Sequence, residues 1–137
     1  MPDCIVRYKS LMKDGDPPDE KPWLANAGAC EQLQLLAASR KTRTVARLRN
    51  RWEPWSVRDP VSGEFFDTDT AWRFIHGLLV GGTEVEVIEL DHPPGKKGYV
   101  LFGTGGAGVH IYIKLQFAGN SVVGRSFHIS NEMSRIR

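Results

Sequence analysis

Two stretches near the end of the chain combine proton-transferring and cationic side chains with strict alternation of polarity. Residues 109 to 117 read VHIYIKLQF, and residues 122 to 130 read VVGRSFHIS. Successive side chains of a β-strand point to opposite faces, so one face of the first stretch is apolar and the other is polar. The polar face carries His110, Tyr112, Lys114 and Gln116. A half-buried strand needs only polarity on its solvent side, so this choice of residues indicates a functional surface.

The pairing of the two strands decides whether their polar side chains meet. An odd connection, Gly119-Asn120-Ser121, would place Lys114 opposite Ser126 and Tyr112 opposite His128. The same register keeps the apolar residues together, whereas a two- or four-residue loop would turn Ser126 and His128 toward them. We therefore expect the odd loop, with Arg125 on the core side reaching the sheet edge along its aliphatic stem. The further expected pairs are His110 with Ser130, Phe117 with Val123, Ile113 with Phe127 and Ile111 with Ile129.

This set of side chains suits phosphodiester cleavage without a metal ion. Attack by a ribose 2′-hydroxyl needs a base, an acid for the leaving 5′-oxygen, and cations beside the phosphate. Histidine titrates in the right range, so we expect His128 as general acid and His110 as general base. The expected phosphate contacts are Lys114, Arg125 and Tyr112, and the orienting groups are Ser126 and Ser130. A solvated sheet face or a protein-binding face would produce a similar pattern, and both alternatives stay open.

A block of cations precedes the first tryptophan pair. Six cations fall within twelve residues and no acidic residue interrupts them: Arg40, Lys41, Arg43, Arg47, Arg49 and Arg51. Such a block can bind the RNA backbone, or it can be the solvated face of a helix. Lys96 and Lys97, in a Gly-Lys-Lys-Gly turn, could also touch a polyanion. Trp52 and Trp55 could stack on bases, although core or turn packing is the simpler interpretation.

Other motifs argue against metal, cofactor or serine chemistry. Strands follow the glycine-rich segments at 95–98 and 103–108, whereas a phosphate-binding loop needs a helix there, so both are predicted to be hairpin connections. Glu84, Glu86 and Glu89 are predicted to lie on a solvated strand face rather than to hold a metal. Cys4 and Cys30 are isolated and predict neither a disulfide nor a zinc site. We expect no cofactor.

Length and composition predict one domain of the α+β class. The 137 residues are 41% apolar and 25% charged with a net charge of +2, which is ordinary for a globular chain. The expected order is a charged arm over 1–22, a mainly helical part over 27–80, and an antiparallel sheet of four to five strands over 83–130. The helices would pack on this C-terminal sheet. With no apolar run long enough to span a membrane and no signal pattern, we expect a cytoplasmic protein.

The final strands also carry a family pattern of a Tyr-apolar-Lys strand, a short turn, and a last strand with Ser-Phe-Lys. Here the two elements are Tyr112-Ile113-Lys114 and Ser126-Phe127-His128. Over about thirty of the 137 residues, the chain thus resembles bacterial toxins of the RelE-like ribonuclease superfamily, most closely the MqsR (motility quorum-sensing regulator) type. The resemblance implies a RelE- or barnase-like fold and matches Tyr112 to the family's active-site tyrosine. It places His128 where the family has a terminal lysine.

The resemblance further implies the toxin component of a toxin–antitoxin system that cleaves mRNA and arrests growth. Its expected partners are a cognate antitoxin protein and RNA, either free mRNA or mRNA on the ribosome. The expected activity is an endoribonuclease acting on single-stranded RNA through its 2′-hydroxyl. The alternative is a non-enzymatic protein- or RNA-binding domain that serves as the partner-recognition subunit of an operon-encoded pair.

Overall fold

The computed structural model describes residues 23–46, 50–90 and 94–130. The arm expected over 1–22 lies outside these ranges, as do Cys4, Arg47 and Arg49. The described part confirms an α+β fold in which helices pack on a sheet that is mostly C-terminal. The helices are α1 (Ala27–Ala37) and α2 (Thr68–Val80). The strands are β1 (Arg43–Val45), β2 (Arg51–Trp52), β3 (Glu86–Glu89), β4 (Lys97–Thr104), β5 (His110–Ala118) and β6 (Ser121–Ile129).

The sheet is mixed rather than purely antiparallel. Strands β3 to β6 form the expected antiparallel meander, in the order β6-β5-β4-β3. Both β1 and β2 pair with β6 in the parallel direction, which the sequence did not predict. Residues 43–45 are thus a strand within the part of the chain, 27–80, that was expected to be mainly helical. The β-branched pair Thr44-Val45 favours the extended conformation, and a 3₁₀ turn at Arg40–Thr42 separates it from α1.

Side-chain caps fix where the two helices begin. The Asn26 side chain accepts a hydrogen bond from the amide of Ala29 at 2.8 Å, which starts α1. Asp67 caps α2 by accepting from the Thr70 amide, and the Thr70 hydroxyl accepts from the Asp67 amide in return. This reciprocal box satisfies two otherwise unpaired amide donors and fixes the first residue of α2 at Thr68. The two helices therefore have defined ends on the apolar side of the sheet.

The core lies between these helices and one face of the sheet. Aromatic rings form its centre: Trp52 lies 5.4 Å from Trp72 and 5.6 Å from Phe127 between ring centroids. Both tryptophans are at most 2% exposed, so Trp52 packs in the core as expected, whereas Trp55 is exposed. The core face of β5 contributes Ile111, Ile113 and Leu115, all fully buried. This packing holds β5 and β6 firmly and directs their other face away from the helices.

The register of β5 and β6 is the predicted one at the candidate site, but it arises differently. The turn has two residues, Gly119 and Asn120, with Ala118 paired to Ser121, so the three-residue connection is wrong. A β-bulge opposite Lys114 and Leu115 inserts Arg125 as an extra residue in β6. One added residue exchanges the two faces of a strand, so the bulge restores the parity that the shorter turn loses.

The bulge therefore separates the pairs that were predicted correctly from the one that was not. Four pairs are confirmed: Lys114 with Ser126, Tyr112 with His128, Ile113 with Phe127, and Ile111 with Ile129. Beyond the bulge Phe117 pairs with Val122 instead of Val123. Arg125, predicted on the core side, instead donates from Nη1 to Oε1 of Gln116 at 2.6 Å. Because Gln116 belongs to the polar face, Arg125 also lies on that face, and its predicted core-side position is wrong.

Candidate functional site

The sheet face opposite the helices carries two neighbouring cross-strand rows. The aromatic row consists of Phe102, Tyr112 and His128, which pair in sequence across β4, β5 and β6. The polar row consists of Glu86, Val100, Lys114, Ser126 and Arg51, which pair across β3, β4, β5, β6 and β2. Same-face residues on one strand are two positions apart, so the rows are separated by about 7 Å. That spacing places a stacking surface beside cations.

Contacts between the rings fix the relative orientations of the side chains in the aromatic row. The Tyr112 ring lies 5.4 Å from the His128 imidazole with a 35° tilt, and 5.6 Å from the Phe102 ring with a 67° tilt. All three side chains are partly exposed. Aromatic rings in contact, one pair edge to face and the other tilted, keep defined orientations, and an exposed ring face can stack on a nucleic-acid base. The predicted meeting of Tyr112 with His128 is thus present, and Phe102 extends it.

The His128 imidazole is held by its own backbone. Its Nδ1 lies 2.8 Å from the carbonyl oxygen of Ile129, and because a carbonyl only accepts, this hydrogen bond requires the proton on Nδ1. Burial lowers the pKa of His128, and the positive charges of Arg51 and Lys114 lower it further. The Ile129 carbonyl and the Glu53 carboxylate oppose that shift. The neutral ring is therefore favoured, with Nε2 available as a proton acceptor.

His110 lies one row beyond the aromatic row, at the start of β5. Its carbonyl accepts a hydrogen bond from the Ser130 amide at 2.7 Å, which agrees with the predicted pairing of these two residues. On antiparallel strands such diagonal neighbours are roughly 7–8 Å apart, so His110 and His128 can approach opposite sides of one phosphate group. His110 is partly exposed, whereas Ser130 is buried. The two imidazoles thus share one face with Tyr112 between them.

The polar row brings together cations that the sequence assigned to different roles. Lys114 was expected in the catalytic set and Arg51 in the RNA-binding set, and both flank Ser126. Arg51 also forms a salt bridge with Glu53, whose carboxylate lies 3.3 Å from its Nη2. Ser126 is only 5% exposed, so its hydroxyl is a buried member of the row rather than a solvent-exposed nucleophile. Arg51 is the cation that the sequence missed in this set, because its position depends on the parallel β2–β6 pairing.

Glu86 corrects another expectation. The solvated strand face predicted for the three glutamates holds for Glu84 and Glu89, but Glu86 is only 8% exposed. Its Oε1 is buried and accepts no hydrogen bond from the described residues. Burial raises the pKa of Glu86 to about 7, and the Glu84 carboxylate adds to the rise. The polar row therefore ends at a carboxyl group that holds its proton near neutral pH.

This face is less open than a fully solvated one. A small apolar cluster of Ile88, Leu90 and Val100 covers its β3–β4 side, and Trp23, Phe102 and Tyr112 pack against it. The segment around Leu24 extends the sheet there, since the Val87 amide donates to the Trp23 carbonyl at 2.7 Å. The aromatic row thus has an apolar wall on one side and the cations Lys114 and Arg51 in the next row.

Comparison with protein-family models, with curated proteins and with solved structures found no match for this chain. The resemblance to MqsR-type toxins therefore stands on Tyr112-Ile113-Lys114 and Ser126-Phe127-His128 alone, as an expectation.

The other predicted RNA-binding residues that the structure describes lie elsewhere. Lys96 and Lys97 line a shallow hollow with Tyr99, Gln116 and Phe117, at the opposite end of β5 from His110. Arg125 lies near this end too, through its bond to Gln116. The cations at 40–43 lie in two places. Lys41 is exposed on the 3₁₀ turn, while Arg40 and Arg43 line a cleft between the helices. The described members of the basic block, Arg40, Lys41, Arg43 and Arg51, are thus not gathered into one surface.

Among the described residues, no group of three or more His, Cys, Asp or Glu side chains is arranged to hold a metal ion. Neither described helix is long and apolar enough to cross a lipid bilayer.

Phe102 and Glu86 are site residues that sequence reasoning missed. Phe102 could have been found, because it shares a strand face with Val100 and Thr104 and lies opposite Tyr112 in an antiparallel meander. Glu86 could not, since its burial depends on how the segment around Leu24 covers β3.

Proposed function

We propose that this chain is the toxin component of a toxin–antitoxin pair, an endoribonuclease that cleaves single-stranded RNA without a metal ion and acts in the cytoplasm. The observation that carries the proposal is the aromatic row, with its neutral imidazole, lying beside the cations Lys114 and Arg51. A base can stack on Tyr112 or Phe102 while its phosphate lies over the polar row. The short family pattern at residues 112–114 and 126–128 supports the same activity.

In the proposed reaction His128 is the base rather than the acid expected from the sequence. Its Nε2 removes the proton of the 2′-hydroxyl, and the 2′-oxygen attacks the phosphorus atom. The bond to the 5′-oxygen then breaks, and that oxygen takes a proton from His110, leaving a 2′,3′-cyclic phosphate and a 5′-hydroxyl. Lys114 and Arg51 balance the charge that develops on the phosphate oxygens. The role exchange follows from the lowered pKa of His128, which favours a proton acceptor.

The activity can be tested with purified protein, single-stranded RNA and EDTA. Cleavage products should carry 2′,3′-cyclic phosphate ends, and an RNA with 2′-O-methyl groups should stay intact because it lacks the attacking hydroxyl. His128→Ala should reduce the cleavage rate by about 10²–10⁴-fold, the usual value of general base catalysis. Arg58→Gln, which removes an exposed cation outside the site, serves as the matched control variant.

The outcomes separate the two functions considered. Discrete cleavage that depends on His128 supports the ribonuclease. RNA that stays intact, together with tight binding to a partner protein encoded in the same operon, would instead favour a non-enzymatic recognition subunit. Cleavage that persists in His128→Ala would contradict the assigned site even if the activity is correct.

A further inference from the structure

A second cluster of charged groups lies on the helix side of the molecule, away from the aromatic row. A cleft of about 320 Å³ opens between the C-terminal end of α1 and the start of α2. Its charged and titratable lining residues are Arg40, Arg43, Asp69, Arg73 and His76. None of them belongs to the proposed catalytic set. Arg73 and His76, on α2, lie far in sequence from the basic block.

Asp69 organises two of the guanidinium groups. Its Oδ2 lies 2.6 Å from Arg40 Nη2, and its Oδ1 lies 3.6 Å from Arg43 Nη2. Arg43 is fixed further by donating from Nη1 to the Ala37 carbonyl at 2.7 Å and by lying 5.9 Å above the Trp72 ring. A guanidinium held on three sides loses little side-chain entropy when it binds a ligand.

The cleft has more positive than negative charge. Three guanidinium groups face one carboxylate, which leaves an excess of about two positive charges when His76 is neutral. Burial lowers the pKa of Arg43, the Asp69 carboxylate opposes that shift, and Arg40 and Arg73 add to it because the cations repel one another. Arg73 forms no salt bridge within the described part of the chain. An oxyanion that enters the cleft would relieve this repulsion and match the fork geometry of arginine.

The edge of β6 connects this cleft to the aromatic row. Arg43 in β1 pairs with buried Val122, so it points to the helix side. Arg51 in β2 pairs with Ser126 on the other side of the same edge. Val122 and Ser126 are four residues apart on β6, roughly 13 Å along the strand. A polyanion of a few nucleotides is therefore long enough to span the distance between these two cations.

We propose that this cleft binds a phosphate group of the RNA strand whose scissile phosphate lies at the aromatic row. The proposal depends on the proposed function for the kind of polymer, but the binding step does not require cleavage. An acidic protein segment would also meet the charge, yet the presence of a cation beside β6 on each face of the sheet, Arg43 and Arg51, favours a long, uniformly charged strand.

The test measures binding without cleavage, using a fluorescent single-stranded 2′-O-methyl RNA and fluorescence anisotropy over a range of salt concentrations. Arg73→Gln should weaken binding about fivefold at 0.1 M salt and reduce the salt slope by about 0.7, the value for one phosphate contact on a single strand. Arg58→Gln is the matched control, since it removes the same charge from an exposed loop, and it should leave the affinity unchanged.

A second variant should change the affinity for RNA in the opposite direction. Asp69→Asn removes the competing carboxylate, so it should tighten RNA binding and steepen the salt slope, which a merely structural role of Asp69 would not produce. Equal weakening by Arg73→Gln and Arg58→Gln would overturn the proposal in favour of a net-charge effect.

Two further measurements distinguish failure of the cleft proposal from failure of the ribonuclease proposal. Poly-glutamate that binds more tightly than the RNA, with the same dependence on Arg73, would overturn the proposal in favour of an acidic protein partner. If unmodified RNA stays intact while the Arg73 and Asp69 effects on binding hold, the ribonuclease proposal fails and the cleft stands. If RNA is cleaved but binding ignores Arg73, only the cleft fails.

Discussion

At the scale of single residues, opposing influences at close range determine the protonation state of His128. Burial is the largest cause of its lowered pKa, and Arg51 and Lys114 also favour the neutral ring, while the Ile129 carbonyl and Glu53 favour the protonated one. Arg51 and Glu53 are themselves paired, so each reduces the influence of the other. A base for RNA cleavage must be neutral before the reaction and accept a proton during it, and this balance provides that state near neutral pH.

Substitution of Arg51 and substitution of Glu53 should shift the pKa of His128 in opposite directions. Arg51→Gln should raise the pKa of His128, because a positive charge is removed and Glu53 is left unopposed. Glu53→Gln should lower it further, because the carboxylate that favours the protonated ring is lost. Titration of the imidazole by NMR would measure both shifts, and the acid limb of the cleavage rate should move with them. Shifts of the same sign in both variants would contradict this electrostatic account.

At the scale of elements, the bulge in β6 and its neighbouring glycine position the site. Gly124 pairs with Leu115 on the core side, where a Cβ atom would lie 2.5 Å from Cζ3 of Trp52. The Trp52 ring cannot move easily, because it contacts the rings of Trp72 and Phe127. Gly124 is therefore required for close packing of β2 on β6, and β2 carries Arg51 into the polar row.

Two Gly-to-Ala variants should test this packing with opposite outcomes. Gly124→Ala should destabilise the fold by about 1–3 kcal/mol, the usual cost of overpacking a core. Gly77→Ala should stabilise it by up to about 1 kcal/mol, because Gly77 lies inside α2 with nothing within 4 Å of a new Cβ. Urea unfolding would measure both. Equal effects of the two substitutions would show that Trp52 does not constrain β6 as described.

The same elements show what a sequence can and cannot provide. The alternation in β5 and β6 predicts which residues face each other, because only one parity keeps Ile113 with Phe127. It cannot tell a three-residue turn from a two-residue turn plus a bulge, since each changes the parity by one. The parallel strands β1 and β2, three and two residues long, exist only through pairing with β6, so local propensity could not reveal them.

At the scale of the whole molecule, the sheet separates two environments that both border β6. The helices and the aromatic core cover one face, and the aromatic and polar rows lie on the other. Lys114 and His128 are partly exposed, yet Glu86, in the same row as Lys114, is almost completely buried. A buried carboxyl group without a hydrogen-bond partner for Oε1 costs free energy when it ionises. Its ionisation is therefore coupled to global folding.

This coupling predicts the sign of a pH effect on stability. The pKa of Glu86 is about 7 in the folded protein, against a usual value of 4.5. Between these values the folded state binds more protons than the unfolded chain, so the free energy of unfolding falls as pH rises from about 4.5 to about 7. His128 contributes with the opposite sign, because its lowered pKa makes stability fall as pH drops below about 6.5. Only a comparison of variants isolates the Glu86 effect.

Glu86→Gln should match the wild type near pH 5 and exceed its free energy of unfolding by about 2 kcal/mol near pH 8, because an amide of the same shape never ionises. Glu89→Gln, an exposed change on the same strand, should keep the wild-type dependence. Urea unfolding at both pH values measures the difference. A Glu86→Gln protein that gains nothing at pH 8 would mean that the carboxylate is solvated or paired when ionised, and the polar row would then end in a negative charge instead of a neutral acid.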